Sequence, residues 1–244
     1  MKKYSYIGIS FVILIFGIIF IPKIVNRVKD TSIVKNDRMS ADNPVVNEKL
    51  SYLKTDGKPR KVPEFAFLDQ DSLLITNHDY LGKVYVVDFF FTSCPTICPK
   101  MTRNLVYLQN ELKEYENFGM ASFTINPKRD SPHILKKYAE NYKIIDSDWH
   151  LLTGDREDIF DLANDGFYIY AAENPDVLGG FEHNGYFALV DQEGYIRSRY
   201  DARGNPIVYY RGTIGVAEKK NEEGEEEQIT ILLEDIKKLL EENE

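Results

Sequence analysis

The sequence predicts an α/β sandwich, with helices flanking a central mixed β-sheet, preceded by one N-terminal transmembrane helix. Three observations support this prediction. Residues 4–22 form an uncharged, mostly apolar run, strand patterns alternate with amphipathic helix patterns along the middle of the chain, and a hairpin pattern follows them. The 244 residues are enough for one ordinary domain with appendages rather than two full domains.

The composition indicates a folded, acidic chain with few cysteines. Hydrophobic residues make up 43% and charged residues 28%, a balance that excludes a wholly disordered chain. The net charge of -9 disfavours a nucleic-acid partner, although part of it lies in the glutamate run at residues 222–227. Only two cysteines are present, which excludes a disulfide-stapled miniprotein and a multi-cysteine zinc scaffold.

The N-terminal apolar run is predicted to be an uncleaved signal anchor covering residues 1–25. As a helix, residues 4–22 would span roughly 28 Å, close to the thickness of a bilayer's hydrocarbon core. The residues after the run, Pro22-Lys23-Ile24-Val25-Asn26-Arg27, offer no small-residue cleavage site, and no cysteine is available here for a lipid. Basic residues flank both sides of the run, so charge alone leaves the orientation open. Residues 26–61 are predicted to be a tether and lead-in segment.

The predicted domain covers residues 62–217, and its first half alternates strands with helices. A short alternating stretch at 62–67 favours a strand, and the nearly continuous apolar run at 84–91 is typical of a strand buried on both faces. Apolar residues at helical spacing predict a helix over 99–116. A strand over 118–125 and a helix over 132–142 follow.

The second half continues the alternation and ends in a hairpin. A short strand is predicted at 149–152 and a helix at 155–163, with Asp155 as its N-cap. The turn at residues 192–194 joins strands at 186–190 and 195–197 into a hairpin. Residues 218–244 are predicted to form an acidic linker and an amphipathic C-terminal helix. This order of elements describes a sandwich of thioredoxin type.

The two cysteines lie where a predicted strand meets a predicted helix. Pro99 lacks an N–H group, so it fits the first turn of a helix that begins at Cys98 or at Pro99 itself. Both Cys94 and Cys98 would then lie near a helix N-terminus, which stabilises thiolate, the form that attacks disulfides and binds soft metals. A disulfide that only braces the fold is the alternative, but closing so short a loop contributes only about 2 kcal/mol.

Several motifs in this chain occur in the same order in a known family. They are the stretch from Gly82 through Thr92-Ser93-Cys94-Pro95-Thr96-Ile97-Cys98-Pro99, the loop Asn126-Pro127-Lys128-Arg129-Asp130-Ser131-Pro132, Leu152-Thr153-Gly154, Glu182-His183, and Asp191-Gln192-Glu193-Gly194. Together they resemble the Sco/SenC family, the copper proteins of cytochrome c oxidase assembly. The resemblance covers roughly residues 62–201.

The resemblance implies a thioredoxin-like fold and a copper site of two cysteines and one histidine. Carried over to this sequence, those ligands are Cys94, Cys98 and His183. Two thiolates and an imidazole suit Cu(I) and also accommodate Cu(II), whereas zinc usually requires a fourth ligand. The remaining histidines, which lack a comparable context, are expected to be structural or exposed: His78, His133 and His150.

The leading functional prediction is a membrane-tethered copper metallochaperone that helps to mature the copper centre of cytochrome c oxidase. Its expected partner is the copper subunit of the oxidase or another copper carrier. The chain is expected to be a single-pass protein of the cell membrane, with its soluble domain on the extracytoplasmic (periplasmic) side.

The alternative is a thiol:disulfide oxidoreductase that uses Cys94 and Cys98 as a redox-active dithiol. His183 discriminates between the two, because dithiol exchange does not need an imidazole there. A peroxidase is disfavoured, because Thr92 lies two residues before Cys94 whereas peroxiredoxins place their threonine three residues before the cysteine.

Three features depart from the family pattern. Thr96 stands where the family often has Asp, so an acidic group beside the cysteines is missing. Asn126 replaces the first Asp of the Asp-Pro loop, and we expect the turn to survive because an amide can make similar hydrogen bonds. The segment at residues 202–228 is longer than the family leads us to expect, and a solvated insertion is favoured over a docking surface.

Overall fold

The computed structural model describes residues 50–200 and 206–242, together with Leu14 and Phe16. The chain divides into two units, Met1–Val46 and Asn47–Glu244, and every strand and helix named below lies in the second. Apart from Leu14 and Phe16, the predicted anchor at 1–25 and the first part of the predicted tether, 26–49, lie outside the described residues. Within the described part of the chain, no helix has both the length and the apolar character needed to cross a bilayer.

The second unit alternates strands and helices as the sequence predicts. The strands are β1 (Ser51–Tyr52), β2 (Lys54–Thr55), β3 (Lys58–Pro59), β4 (Ala66–Leu68), β5 (Leu74–Thr76), β6 (Val84–Phe90), β7 (Phe118–Thr124), β8 (Trp149–Leu152), β9 (Ala171–Glu173), β10 (Phe181–His183), β11 (Tyr186–Val190), β12 (Ile196–Tyr200), β13 (Pro206–Ile207) and β14 (Tyr210–Arg211). The helices are α1 (Cys98–Leu112), α2 (Pro132–Tyr142), α3 (Arg156–Asp161) and α4 (Ile229–Glu241). A 3₁₀ turn at Asn77–Tyr80 precedes β6, and a π turn at Leu162–Gly166 follows α3.

The central sheet is mixed, in agreement with the predicted fold class. Its strand order is β1-β12-β11-β6-β7-β8, with β13 added beside β12 and β14 beside β11. Strands β6, β7 and β8 are parallel, whereas β11 runs antiparallel to β6 and β12 runs antiparallel to β11. The parallel strands are joined through α1 and α2, and the antiparallel pair is the predicted hairpin, whose turn contains Gly194 at a φ of +84°.

The central strand β6 is buried on both faces, which explains its continuous apolar sequence. All seven of its residues are buried. Because alternate side chains point to opposite faces, Phe90 contacts Tyr138 of α2, whereas Phe89 contacts Phe123 and Phe167 on the other side. Helix α1 buries its predicted apolar stripe, which includes Met101. The sheet thus holds the end of β6, where the cysteines follow, between two packed layers.

Two segments that the sequence assigned to a tether and to a solvated insertion belong to the fold. Of the predicted tether and lead-in, Leu50 is buried and β1 is the edge strand of the central sheet, paired with β12. The solvated insertion expected at 202–228 is wrong for residues 206–216, since Tyr210 and Ile214 are buried and β13 and β14 pair with the sheet. Residues 217–226 are largely exposed, as expected. Helix α4 packs against β6 and α1.

Candidate metal centre

The loop that carries the cysteines leads directly from β6 into α1. Helix α1 begins at Cys98, with Pro99 in its first turn, and its N-cap residue Ile97 makes no side-chain capping bond. The backbone N–H of Cys98 instead points at Cys94 Sγ, 3.5 Å away. The sulfur of Cys94 therefore lies at the helix N-terminus, where an N-cap side chain usually accepts a hydrogen bond. This confirms the predicted placement of the cysteines.

The start of this loop is held by a buried carboxylate from another part of the chain. Asp130 has no exposed surface and accepts hydrogen bonds from the backbone N–H of Thr92 at 2.9 Å and from its hydroxyl at 2.5 Å. The hydroxyl of Thr124 donates a third bond to Asp130 at 2.6 Å. Because Thr92 lies two residues before Cys94, these bonds to Asp130 hold the first residue of the loop that carries the cysteines.

The turn that presents Asp130 has the conformation expected from the sequence. The carbonyl oxygen of Asn126 accepts hydrogen bonds from the backbone N–H groups of Arg129 at 3.0 Å and Asp130 at 2.9 Å. The backbone itself therefore closes the turn. The turn therefore forms with asparagine at position 126.

His183 reaches the cysteines from a separate hairpin. It is the last residue of β10, which pairs with β9 so that His183 lies opposite Ala171. The imidazole packs edge-on against Phe91, with ring centroids 6.0 Å apart. The two strands are joined by a loop in which Gly179 and Gly180 have φ values of +98° and +81°. Any Cβ at Gly179 would lie only 3.1 Å from the Phe91 ring, so the loop passes very close to the residue that supports His183.

The three predicted ligands meet at one place. The ligand atoms of Cys94, Cys98 and His183 all lie within 4.8 Å of one another, and His183 Nε2 is 3.3 Å from Cys98 Sγ. Both cysteines are free thiols and both are buried, whereas His183 is half-buried. Two sulfurs and one imidazole nitrogen form a group that could hold a soft metal ion.

The two thiols are electrostatically unequal. The hydrogen bond from the Cys98 thiol, together with hydrogen bonds from His183 and from backbone N–H groups, holds the pKa of Cys94 well below its usual range. Burial raises the pKa of Cys98, and the neighbouring charge of Cys94 raises it further. In the absence of metal, Cys94 is therefore the thiolate and Cys98 the thiol that donates to it.

Thr96, the first departure from the family pattern, places a hydroxyl beside the thiolate. Its Oγ1 lies 3.6 Å from Cys94 Sγ. A neutral donor can hydrogen-bond a thiolate, whereas an aspartate at this position would bring a like charge close to it.

A groove of about 400 Å³ opens beside the site. Cys94 and His183 lie in its wall, and the rest of the lining is mostly apolar, including Tyr170, Val177 and Leu178. Leu178 is 74% exposed, so an apolar surface adjoins the ligand group. Such surfaces commonly mark places where another protein binds.

The other histidines lie away from this group, as the sequence predicts. His150 Nδ1 is 3.1 Å from the buried carboxylate of Asp69, and its ring packs edge-on against Tyr80. His78 and His133 are exposed.

The supporting residues were harder to find from the sequence than the ligands. Asp130 lies in the loop motif at residues 126–132, but no pattern indicates its bonds to Thr92, 38 residues earlier. Asn104 of α1, whose amide donates hydrogen bonds to the carbonyl oxygens of Gly212 and Ile214, is not indicated by any sequence pattern, because a single amide within a helix pattern is normally solvated. The bonds of Asp130 and of Asn104 both join residues far apart in the sequence, so no local pattern predicts them.

The fold and the site together define a class: a thioredoxin-like α/β protein with a Cys-Cys-His group at the junction of the central strand and the first helix. The SCO1/SenC family model matches residues 53–217, and the chain belongs to this family.

Three relatives illustrate the similarity. The SCO1 protein homolog of Bacillus subtilis is 34% identical over 143 residues, covering 58% of this chain and 74% of the relative. A solved structure of BsSco, described as a member of the Sco family of cytochrome c oxidase assembly proteins with a disulfide switch, has a TM-score of 0.57 and 28% identity, covering 75% of this chain and 94% of BsSco. A protein of Stutzerimonas stutzeri that is named for copper binding is 27% identical over 148 residues, covering 59% of this chain and 71% of that protein.

Proposed function

We propose that this protein is a membrane-tethered copper metallochaperone that assists maturation of the copper centre of cytochrome c oxidase. The observation that carries the proposal is the convergence of Cys94, Cys98 and His183, whose ligand atoms lie within 4.8 Å of one another. Membership of the SCO1/SenC family supports it, as do the relatives described as a copper-binding protein and as a cytochrome c oxidase assembly protein.

The donor set fits copper as cargo. Thiolate sulfur and imidazole nitrogen are ligands that hold Cu(I) well and also accept Cu(II). Cys94 is already poised as a thiolate, and Cys98 must lose its proton when a metal binds. His183 Nε2 is the nitrogen on the sulfur side of the ring, 3.3 Å from Cys98 Sγ, and is therefore the candidate ligand atom, whereas Nδ1 is buried and has no hydrogen-bond partner among the described residues.

Copper transfer requires a partner that reaches the site. Cys94 and His183 line the groove between apolar side chains, so a protein with an apolar surface around its own copper ligands could approach there. The copper subunit of the oxidase or another copper carrier is the partner that we propose. The apolar run at residues 4–22 supports a single-pass anchor, with the domain on the extracytoplasmic side.

A second candidate, thiol:disulfide oxidoreductase activity, is favoured by the unequal thiols. The Cys94 thiolate would attack a partner disulfide, forming a mixed disulfide and releasing one partner thiolate. Cys98 would then pass its proton to the partner thiolate released first and attack Cys94 Sγ, which breaks the mixed disulfide and releases the second partner thiolate. The products are the Cys94–Cys98 disulfide and the reduced partner, so two electrons pass from this protein to the partner.

Copper titration of the purified full-length chain in detergent tests the leading proposal. Reduced protein should bind one Cu(I) per chain, and protein with the Cys94–Cys98 disulfide should lose this binding because its thiolates are consumed. His183→Ala should weaken binding strongly, whereas the exposed-site control His78→Ala should leave it unchanged. Equal affinities in these two variants would refute the ligand assignment.

Oxidase activity in cells separates the two candidate functions. Replacing either cysteine removes copper binding and dithiol exchange together, so cysteine variants do not discriminate. His183→Ala keeps both thiols at the helix N-terminus. If copper delivery is the task, cells with this variant should lose oxidase activity and added copper should restore part of it. Full activity at limiting copper would instead favour the reductase.

A further inference from the structure

The segment that follows β13 lies across the chain immediately after His183. Strand β14 pairs with β11, so that Arg211 lies opposite Tyr186 and Tyr210 opposite Phe187. The backbone N–H of Gly212 donates to the carbonyl oxygen of Gly185 at 2.7 Å. Because Gly185 is only two residues from His183, this pairing fixes the chain where it leaves the candidate ligand.

The approach between the two segments is close enough to require glycine. An ideal Cβ on Gly185 would lie 2.1 Å from Thr213 Cγ2 and 3.3 Å from Ile97 Cδ1. A Cβ on Gly212 would lie 2.5 Å from the Phe187 ring. Gly185 is therefore confined between residues 212–213 and the start of helix α1, the helix that carries Cys98.

A buried amide on the same helix holds the segment in place. Asn104 of α1 is 5% exposed, and its Nδ2 donates to the carbonyl oxygens of Gly212 at 2.8 Å and Ile214 at 3.0 Å. An unbroken set of hydrogen bonds thus runs from the cysteine-bearing helix, through residues 212–214, to Gly185 beside His183.

We infer that Asn104 is a positioning residue for the metal centre, which sets the location of His183 relative to the two cysteines through residues 212–214. Without its two bonds, the 212–214 segment is free to move away from α1, and Gly185 and His183 move with it. The cysteines keep their own supports, Asp130 and the start of α1. This inference rests on the proposed copper function.

A double-mutant cycle tests this inference in the full-length chain. Cu(I) affinity is measured by chelator competition for the wild type, Asn104→Ala, His183→Ala and the double variant. Asn104→Ala should weaken copper binding by about 10- to 100-fold, the usual effect of removing a group that orients a ligand. In the His183→Ala background the same change should have no further effect. The absorption and EPR spectra of the Cu(II) form should shift in Asn104→Ala.

Gln109→Ala is the matched control. Gln109 lies on the same helix, is 4% exposed, and bonds backbone groups of residues 143–146 rather than the segment beside Gly185. The Gln109→Ala variant should have a lower free energy of unfolding than the wild type and the same copper affinity. The Cys94–Cys98 disulfide should still form and be reduced in Asn104→Ala, because both cysteines keep their own supports. Asn104→Ser, which keeps one hydroxyl donor, should restore part of the affinity and covers the case in which Asn104→Ala fails to fold.

Equal copper affinities for Asn104→Ala and Gln109→Ala would overturn the inference. So would an equal loss from Asn104→Ala with and without His183, because the residue would then act through the fold or the cysteines. If His183→Ala itself binds copper like the wild type, the proposed ligand set fails instead. The cycle therefore distinguishes failure of the positioning role from failure of the proposed function.

Discussion

The buried carboxyl of Asp88 makes the stability of this protein depend on pH. Asp88 lies in the middle of β6 and accepts a 2.5 Å hydrogen bond from the hydroxyl of Ser122. Burial raises its pKa from 3.8 to about 7, although the bond from Ser122 lowers it in part. Between these two values the folded state holds a proton that the unfolded state has released. Asp88 therefore does not reduce the free energy of unfolding below pH 3.8. As the pH rises from 3.8 towards 7, the free energy of unfolding falls.

The magnitude follows from the shift. One pKa unit corresponds to about 1.4 kcal/mol, so the ionised group costs about 4 kcal/mol of folding free energy once the pH exceeds both values. At pH 5 the cost is only about 1.7 kcal/mol, because the folded carboxyl is still protonated. Asp88→Asn keeps the shape and removes the charge. The free energy of unfolding of Asp88→Asn, relative to that of the wild type, should therefore increase by about 2.6 kcal/mol between pH 5 and pH 8.

Urea unfolding of reduced, metal-free protein at several pH values measures this difference. Taking the variant minus the wild type at each pH cancels the contributions of groups that do not interact with Asp88, and Cys98, whose pKa the charge of Asp88 raises further, stays neutral over this pH range. Ser122→Ala is a useful companion variant. It removes the hydrogen bond that lowers the pKa of Asp88, so the fall in the free energy of unfolding should extend to higher pH. Parallel stability profiles for the wild type and Asp88→Asn would refute the assignment of a neutral, buried carboxyl at this position.

Three further predictions follow from the site and the N-terminus. Asp130→Asn should cost about 2–4 kcal/mol in urea unfolding, because the amide cannot accept all the bonds that Asp130 now receives from Thr92 and Thr124. Gly185→Ala should reduce both stability and copper affinity, and adding Thr213→Ser, which removes the clashing methyl, should restore part of both; no recovery would contradict the steric reason. The mature protein should remain in the membrane fraction with an intact N-terminus, and a soluble form that begins near residue 26 would refute the uncleaved anchor.

Long periodic segments of the fold were predictable because one physical requirement governs each of them. The run at 84–91 is apolar throughout because β6 is covered on both faces, and α2 covers the predicted residues 132–142. Asp155 was predicted as an N-cap, and its carboxylate accepts a bond from the backbone N–H of Glu157 at 2.8 Å. In each case the residues that the local sequence pattern favours are also the residues that the packed structure needs at those positions.

The short strands were not predictable, because two residues are too few to show a period. The sequence around β14 reads as a polar loop, yet Tyr210 is buried and donates to the buried carboxylate of Asp235 at 2.7 Å. Arg199 also bonds Asp235, at 3.2 Å, so a buried charge on α4 has partners from two distant strands. These contacts depend on the packing of α4 against the sheet, so no local sequence pattern predicts them.

The site joins residues from two separate parts of the chain. Cys94 and Cys98 share one loop and could be singled out from their spacing, whereas their proximity to His183 depends on the β9–β10 hairpin. A disulfide uses the same two sulfurs that a metal would need, so copper loading and disulfide formation exclude each other in a single molecule. His183 takes no part in the disulfide itself, although its hydrogen bond lowers the pKa of Cys94. Changes at His183, or at Asn104, which holds the segment beside it, therefore remove or displace a copper ligand and leave both sulfurs able to form the disulfide, whereas changes at the cysteines abolish both chemistries.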